Sequence, residues 1–307
     1  MLFKKKKPAL RMCPENADTL KNLPRELLTP TAVGYIRKTL ISGGAIVTLK
    51  NGPDYLSLAV MAYTANGLAL RYLVTLPEDR HRGYAGELLH RLLAVCDKGK
   101  PISADVNTQS DSFPFVKSIL EKEGFVRRGA YTTFLAGTEG MQKNGGKENI
   151  SRIRKQAARV TESGFTVVNF HEADEALLEQ VRLSKTTDFH NTLDAAPLFA
   201  IPAYILKEYS FILAKDGEAV AYSIVSERSG DTAEFDQLAV REDCRSTGLA
   251  LTPALFSFDE MIRRGTYQSI MWQIMDNNDD CAAMMRELLP CEKTEIPVDM
   301  FYRAPQE

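Results

Sequence analysis

One turn occurs twice in this sequence, each time between a strand-like segment and a helix-like segment. Residues 80–85 read Arg-His-Arg-Gly-Tyr-Ala and residues 245–250 read Arg-Ser-Thr-Gly-Leu-Ala, so both fit the pattern R-x-x-G-x-A. The two turns lie 165 positions apart, and the repeats of solenoid proteins are much shorter than this. The spacing therefore predicts a duplicated domain.

The segments around the two turns follow one order in both halves of the chain. Helices come first, then a hairpin, a strand, the turn, a helix, a strand, a second helix and a closing strand. In the first half, Asn66-Gly67 is a hairpin signal, and Leu88, Leu89, Leu92 and Leu93 form the apolar stripe of a helix packed on a sheet. This order predicts an α/β fold with two mixed, mostly antiparallel sheets flanked by helices.

The polar segment 137–156 separates the halves. It is rich in Gly and Lys and nearly free of large apolar residues, which is typical of a linker. The predicted domains are therefore residues 1–136 and 157–307. Within the second domain, we expect residues 174–209 to be mostly helical.

Composition limits the classes of function. The 307 residues carry a net charge of −2, which gives no indication of a nucleic-acid partner. No apolar run approaches the ~20 residues of a membrane helix, and the basic run 4–7 is interpreted as a solvated tail. Five cysteines without a C-x-x-C pair favour reduced thiols in a cytoplasmic protein. The four histidines show no metal-ligand spacing, so no metal is expected.

The repeated turn has the chemistry of an anion cradle. A helix begins with unpaired backbone N–H groups and the positive end of its dipole. Glycine at that point lets the backbone bend and leaves room for a ligand. Arg80, His81 and Arg82 add basic groups around Gly83, so the turn is suited to phosphate.

With these residues in place, the sequence resembles the GCN5-related N-acetyltransferase (GNAT) superfamily in both halves. The family signature, Q/R-x-x-G-x-G/A after the fourth strand, is often preceded by V-x-P. Here Thr75-Leu76-Pro77 and Val240-Arg241-Glu242 stand in that place. A family-like ending, Gly124-Phe125, follows the last helix of the first half. The resemblance covers nearly all of both halves and implies two tandem acetyltransferase-type domains.

The resemblance also implies an acetyl-CoA site, in which turn amides hold the pyrophosphate and a splayed strand edge pairs with the pantetheine. In the first half the implied cofactor-binding residues are Leu73, Val74, Thr75, Arg80, His81, Arg82, Gly83, Tyr84, Ala85, Gly86 and Asn107. In the second half they are Leu238, Ala239, Val240, Arg245, Ser246, Thr247, Gly248, Leu249 and Ala250.

The two halves differ in the catalytic groups that the family uses. Many members use a carboxylate on the fourth strand as a base, and the second half offers Glu234 and Asp236 there. Arg71 stands at the matching place in the first half and stays protonated. The tyrosine that many members carry on the last helix is replaced by Leu120 in the first half. We therefore expect catalysis in the second half, with Asp236 or Glu234 accepting the proton.

The resulting expectation is an N-acetyltransferase that moves an acetyl group from acetyl-CoA to the amine of a small molecule or peptide, without nucleic-acid or membrane partners. Two alternatives remain open. One is a CoA-binding sensor or structural protein without turnover. The other is a nucleotide- or phosphate-binding module that shares only the turn.

Overall fold

A computed structural model describes residues 10–64, 67–96, 98–139, 146–190, 195–199, 205–229, 231–288 and 293–305. The basic run 4–7 and Asn66 of the predicted hairpin lie outside these residues. The chain forms two compact units. Unit 1 contains Met1–Ala130 and Val298–Glu307, and unit 2 contains Tyr131–Pro297. Within the described residues, no helix is both long enough and apolar enough to cross a bilayer.

Unit 1 is a sheet with helices on both faces. Its elements are β1 (Leu10–Pro14), α1 (Pro30–Ser42), β2 (Gly44–Asn51), β3 (Asp54–Thr64), β4 (Gly67–Thr75), α2 (Tyr84–Val95), β5 (Ile102–Asn107), α3 (Phe113–Lys122), the start of β6 (Val126–Gly137) and most of β13 (Thr294–Arg303). The strand order is β1-β2-β3-β4-β5-β13, and every pair is antiparallel except β4 with β5.

The predicted apolar stripe of α2 is confirmed as the centre of the unit 1 core. Leu88, Leu89, Leu92 and Leu93 are all at most 4% exposed and pack on the sheet together with Phe301 of β13. Each buried leucine contributes about 1.5–3 kcal/mol relative to an exposed one. A second apolar cluster, which contains residues of α1, β2 and β3, is separate from this core.

A buried ion pair lies in unit 1 beyond the end of β1. The carboxylate of Glu15 is 1% exposed and lies 3.1 Å from Lys50 Nζ, and Thr48 donates a 2.6 Å hydrogen bond to it. Burial raises the pKa of Glu15, but hydrogen bonds from Thr19, Thr48 and Lys50 together outweigh burial and lower it. The folded protein therefore holds this proton less tightly than the unfolded chain does.

This ion pair makes the stability of the fold pH-dependent in acid. Because the folded pKa of Glu15 is below its ordinary value, its contribution is complete above that ordinary value and is lost as the pH falls through the folded pKa. We expect urea unfolding between pH 6 and 3 to give a smaller acid loss of unfolding free energy for Glu15→Gln than for wild type. Equal pH slopes for the two proteins would contradict the assignment.

Unit 2 repeats the plan with additional elements. Its elements are the rest of β6, α4 (Gly146–Glu162), β7 (Thr166–Asn169), α5 (Glu175–Arg182), β8 (Phe189–His190), α6 (Ala196–Phe199), β9 (Phe211–Lys215), β10 (Glu218–Ser229), β11 (Thr232–Arg241), α7 (Leu251–Arg264), β12 (Ser269–Met275) and α8 (Asp279–Leu288). The strand order is β6-β12-β11-β10-β9-β7, with β8 also paired to β11.

The linker prediction is wrong for residues 146–156, which form the first part of α4. The helix packs on α7 and α8. Ala157 is buried in the unit 2 core, and Arg154 donates two hydrogen bonds to Asp259 at 2.7 and 2.9 Å. The helix is amphipathic and its apolar face is narrow, so its composition is mostly polar and resembles that of a linker. Residues 140–145 lie outside the described part of the chain.

The region 174–209 is less helical than predicted. Helix α5 ends at Arg182, and residues 189–190 are the extended strand β8. Strand β8 pairs with Val240 and Arg241 of β11. The sequence around β8 gave no strand signal because the paired segment is only two residues long.

The two units exchange their closing strands. Residues Tyr131–Gly137 of β6 pair with β12 inside unit 2, whereas residues Val298–Arg303 of β13 pair with β5 inside unit 1. The units therefore differ from the predicted domains 1–136 and 157–307 at these strands. Strand patterns in a sequence predict extended segments but do not indicate which neighbour each segment pairs with.

Candidate functional site

The first turn reverses the chain between β4 and α2 with two left-handed residues. After a 3-10 turn at Pro77–Asp79, His81 has φ 62° and Gly83 has φ 84°. Gly83 is the N-cap of α2, and no side chain caps this helix start. The amides of Tyr84, Ala85 and Gly86 begin the helix and therefore have no acceptor one turn earlier.

The space in front of this helix start is open. A Cβ atom built on Gly83 would meet no atom within 4 Å. Arg82 pairs with Asp79 at 3.0 Å, while Arg80 is exposed and has no ion pair among the described residues. The ring of His81 lies edge-on to Phe115 of α3, with centroids 4.7 Å apart. The turn thus combines free donors, positive charge and room for an anion.

Strand β4 also has an unpaired edge beside the turn. Its parallel pairing with β5 covers only Leu68–Leu70 with Ile102–Ala104. Beyond that point, the described part of the chain contains no strand paired with residues 71–75 on the β5 side. Backbone groups along this edge, including those of the predicted residues Leu73, Val74 and Thr75, can therefore bond to an extended ligand.

Each unit has a β-bulge at the point where its two parallel strands stop pairing. These strands are β4 and β5 in unit 1 and β11 and β12 in unit 2. In unit 1, Tyr72 pairs with Val60 and Leu70 with Met61, so Arg71 is the extra residue. In unit 2, the register shift of β10 against β11 leaves Asp236 as the extra residue. The predicted correspondence of Arg71 with Asp236 is confirmed by these registers.

The second turn has the same backbone outline, but its amides are used internally. Ser246 has φ 64° and Gly248 has φ 79°. The amide of Leu249 donates to Thr247 Oγ1 at 3.3 Å, and the amide of Leu251 donates to the carbonyl of Gly248 at 3.1 Å. Fewer donors are left for a ligand than in the first turn.

Two neighbours occupy the places that are open in unit 1. Gln156 of α4 has its Nε2 only 2.5 Å from a Cβ atom built on Gly248. Strand β8 pairs with Val240 and Arg241. Because Val240 also pairs with Ala221 of β10, β8 must lie on the opposite edge, which faces β12. The cradle of unit 2 and the last two residues of its strand edge are therefore filled by the chain itself.

Acidic side chains neutralise the basic groups of the second turn. Arg245 lies 3.7 Å from Glu242 and 3.6 Å from Asp280. Arg241 donates to Asp243 at 2.7 Å, and this hydrogen bond raises the pKa of Arg241 above its already high ordinary value. The second turn has less positive charge available for a phosphate than the first.

The two candidate bases of unit 2 occupy different surroundings. Glu234 is 7% exposed, and Arg228 Nη1 donates to its carboxylate at 3.2 Å. Asp236 is half-buried at the bulge. The catalytic assignment of Asp236 and Glu234 stays a prediction.

The other predicted residues fall around the two turns as expected from their order. The described structure places Leu73, Val74 and Thr75 at the end of β4, Arg80, His81, Arg82 and Gly83 in the first turn, and Tyr84, Ala85 and Gly86 in the first turn of α2. It places Leu238, Ala239 and Val240 on β11, Arg245, Ser246, Thr247 and Gly248 in the second turn, and Leu249 and Ala250 just before α7.

Asn107 ends β5, and its side chain already has a local partner. Its Oδ1 accepts from the amide of Gln109 at 2.8 Å, which stabilises the turn after the strand. Leu120 of α3 is fully buried in the unit 1 core, so no hydroxyl group stands in that place. Sequence reasoning missed Asp105 of β5, whose Oδ2 lies 3.9 Å from Arg71 Nη1. The alternation of β5 could have indicated that Asp105 faces away from the core residue Ala104.

Solved structures of other proteins share the fold of this chain, although its sequence has no close match. No protein-family model matches the sequence, and no curated protein matches it significantly. A GCN5-related N-acetyltransferase from Sphaerobacter thermophilus superposes with a TM-score of 0.65 over 97% of this chain and 96% of its own, at 10% identity. A tandem GNAT protein from the clavulanic acid biosynthesis pathway, solved without acetyl-CoA, gives a TM-score of 0.65 over 97% and 99%, at 13% identity.

This chain has the tandem GNAT fold. The fold also matches the glucosamine N-acetyltransferase region of a fungal multidomain GH3 β-N-acetylglucosaminidase, with a TM-score of 0.71 and 9% identity over 97% of this chain and 38% of that one. The predicted fold class is confirmed. In the tandem GNAT fold of this chain, the R-x-x-G-x-A turn is open in unit 1 and filled in unit 2.

Proposed function

We propose that this tandem GNAT protein is an acyl-CoA-dependent N-acetyltransferase that binds acetyl-CoA at the turn of unit 1. The observation that carries the proposal is the contrast between the two turns. Gly83 faces open space beside the exposed Arg80, and Gly248 faces the side chain of Gln156. An unpaired edge of β4 continues from the open turn.

The residues of unit 1 fit the chemical parts of this donor. The amides of Tyr84, Ala85 and Gly86 would hold the pyrophosphate, and the charge of Arg80 would strengthen that contact. The edge of Leu73–Thr75 would pair with the amides of the pantetheine arm. Bound acetyl-CoA supplies an activated acyl thioester. Overall, an amine nitrogen bonds to the acyl carbon, the carbon–sulfur bond breaks, and one proton passes from nitrogen to sulfur.

The bulge of β4 then marks the reacting end of the site. An extended arm that starts at the turn and follows Thr75, Val74 and Leu73 leads towards Arg71, since β4 rises about 3.3 Å per residue. Asp105 lies beside Arg71 and is the unit 1 carboxylate that we propose to meet the acceptor amine. Asp236 and Glu234 of unit 2, the bases expected from the sequence, remain the competing catalytic site for the same reaction.

A second function is favoured by one specific observation. Leu120, at the place of the tyrosine that many GNAT enzymes carry, is buried in the core and has no proton to give. A protein that binds CoA without turnover would need no such group. The chain would then be a sensor or structural CoA-binding protein.

Titration and turnover assays separate these functions. We expect isothermal titration to show tighter binding of acetyl-CoA and CoA than of ATP, because ATP has no pantetheine arm to pair with the edge of β4. Thiol release from acetyl-CoA in the presence of an amine panel then distinguishes enzyme from sensor. Binding without thiol release supports the sensor, and equal binding of ATP and CoA supports a plain phosphate module.

A further inference from the structure

An unusual charge pair lies where β4 and β5 stop pairing in unit 1. Leu70 and Ala104 form the last parallel pair of the two strands. The next residues along each strand are Arg71, at the bulge, and Asp105. A cation and an anion therefore stand side by side at the start of the open strand edge.

This pair is loose and accessible. The closest atoms, Arg71 Nη1 and Asp105 Oδ2, are 3.9 Å apart, and the side chains are 39% and 37% exposed. A contact at that distance is an ion pair without a direct hydrogen bond, and half-exposed pairs of this kind contribute little to stability. A ligand can therefore reach both groups, and their contact with each other opposes it only weakly.

We propose that Arg71 and Asp105 recognise the carboxylate and the ammonium group of a free α-amino acid, which would be the acyl acceptor. The inference rests on the proposed function and names its acceptor class. The planar guanidinium of Arg71 binds carboxylates through two parallel hydrogen bonds. Asp105 accepts from the adjacent ammonium, so the zwitterion replaces one loose ion pair with two charge-assisted contacts.

The charge pattern disfavours other amines. Arg71 repels a simple alkylammonium ion, because its guanidinium group carries a positive charge. A peptide N-terminus has the ammonium group but an amide in place of the neighbouring carboxylate, so it leaves Arg71 without its partner. The acceptor is therefore expected to be a free amino acid. The alternative that an experiment must distinguish from it is the N-terminus of a peptide.

The test compares α-amino acids with their α-amides, which imitate a peptide N-terminus. Wild type should give kcat/KM values about 10- to 100-fold higher for the acids, the range expected for a charge-assisted hydrogen bond. In Arg71→Met this ratio should fall close to one, and Arg71→Lys should be intermediate. Arg37→Met is the matched control, because Arg37 is an exposed arginine of α1 in the same unit and its loss should keep the ratio.

A binding measurement gives a second readout. Titration of the amino acid into protein saturated with CoA should show weaker binding for Arg71→Met and for Asp105→Asn, while CoA itself binds both variants normally. Amides that react as well as acids in wild type, or a preference that survives in Arg71→Met, would overturn the inference and leave the proposed function intact. Absence of any turnover or amino-acid binding would also overturn it, and the CoA titration then shows whether the proposed function fails too.

Discussion

Gly83→Asp is expected to weaken acetyl-CoA binding by about 100-fold or more, whereas Gly248→Asp is expected to change it little. Gly83 has φ 84° and faces open space at the start of α2. A non-glycine residue in that conformation costs about 1–2 kcal/mol, and the new carboxylate would stand where the pyrophosphate binds. Two like charges in that position repel each other strongly.

Isothermal titration of CoA into the two variants is the direct measurement. Gly83→Ala is the control, because it introduces the backbone strain without the negative charge, and we expect it to weaken binding less than Gly83→Asp. Circular dichroism should show that all three variants are folded. Loss of CoA binding in Gly248→Asp, with normal binding in Gly83→Asp, would move the cofactor to unit 2.

Two substitutions in unit 2 test whether catalysis occurs there. If Asp236→Asn lowers thiol release by about 10²–10⁴-fold, the loss expected for a general base, and Gly248→Asp also lowers it, catalysis occurs in unit 2. Full activity in both variants, together with inactive Gly83→Asp, would leave unit 1 as the catalytic unit and remove Asp236 from the mechanism.

Phe301→Ala is expected to destabilise unit 1 by about 3–5 kcal/mol, the usual cost of deleting a buried phenylalanine. Phe301 is 1% exposed and packs in the same core as Leu88 and Leu89. It comes from β13, near the end of the sequence, although the core that it fills belongs otherwise to the first 130 residues.

Urea unfolding with and without saturating CoA measures this effect and assigns it to a unit. The unfolding transition that CoA shifts to higher urea concentration is expected to be that of unit 1, the unit proposed to bind CoA. In Phe301→Ala the midpoint of this CoA-protected transition should move to a lower urea concentration. Glu295→Ala, at an exposed position of the same strand, should change the unfolding free energy by less than about 0.5 kcal/mol. An unchanged CoA-protected transition in Phe301→Ala would show that β13 does not support unit 1.

Local patterns in the sequence were sufficient to predict most helices and strands. The leucine stripe of α2 and the apolar runs of β3 and β4 depend on neighbouring residues only, and the turn that joins β4 to α2 has glycine where the backbone is left-handed. Strand β1 was not predicted, because five residues ending in Pro14 make a weak strand signal. Helix α4 was missed because its composition is mostly polar.

The difference between the two turns could not be predicted from their sequences. Both fit R-x-x-G-x-A, but Gln156 and strand β8 reach the second turn from distant positions in the chain. The closeness of Arg71 and Asp105 likewise depends on where β4 and β5 stop pairing. Such long-range contacts decide whether a motif is open to a ligand, and a motif contains no information about them.

The exchange of closing strands has a consequence for the protein during its synthesis. Strand β5 leaves the ribosome early, but its partner, residues 298–303, is made only after all of unit 2. At about 5–20 residues per second, the wait is on the order of 10–40 s. Throughout that interval the nascent chain exposes an unpaired strand edge, which invites aggregation or chaperone binding. A premature stop codon shortly before residue 298 would therefore damage the half of the protein that was translated first.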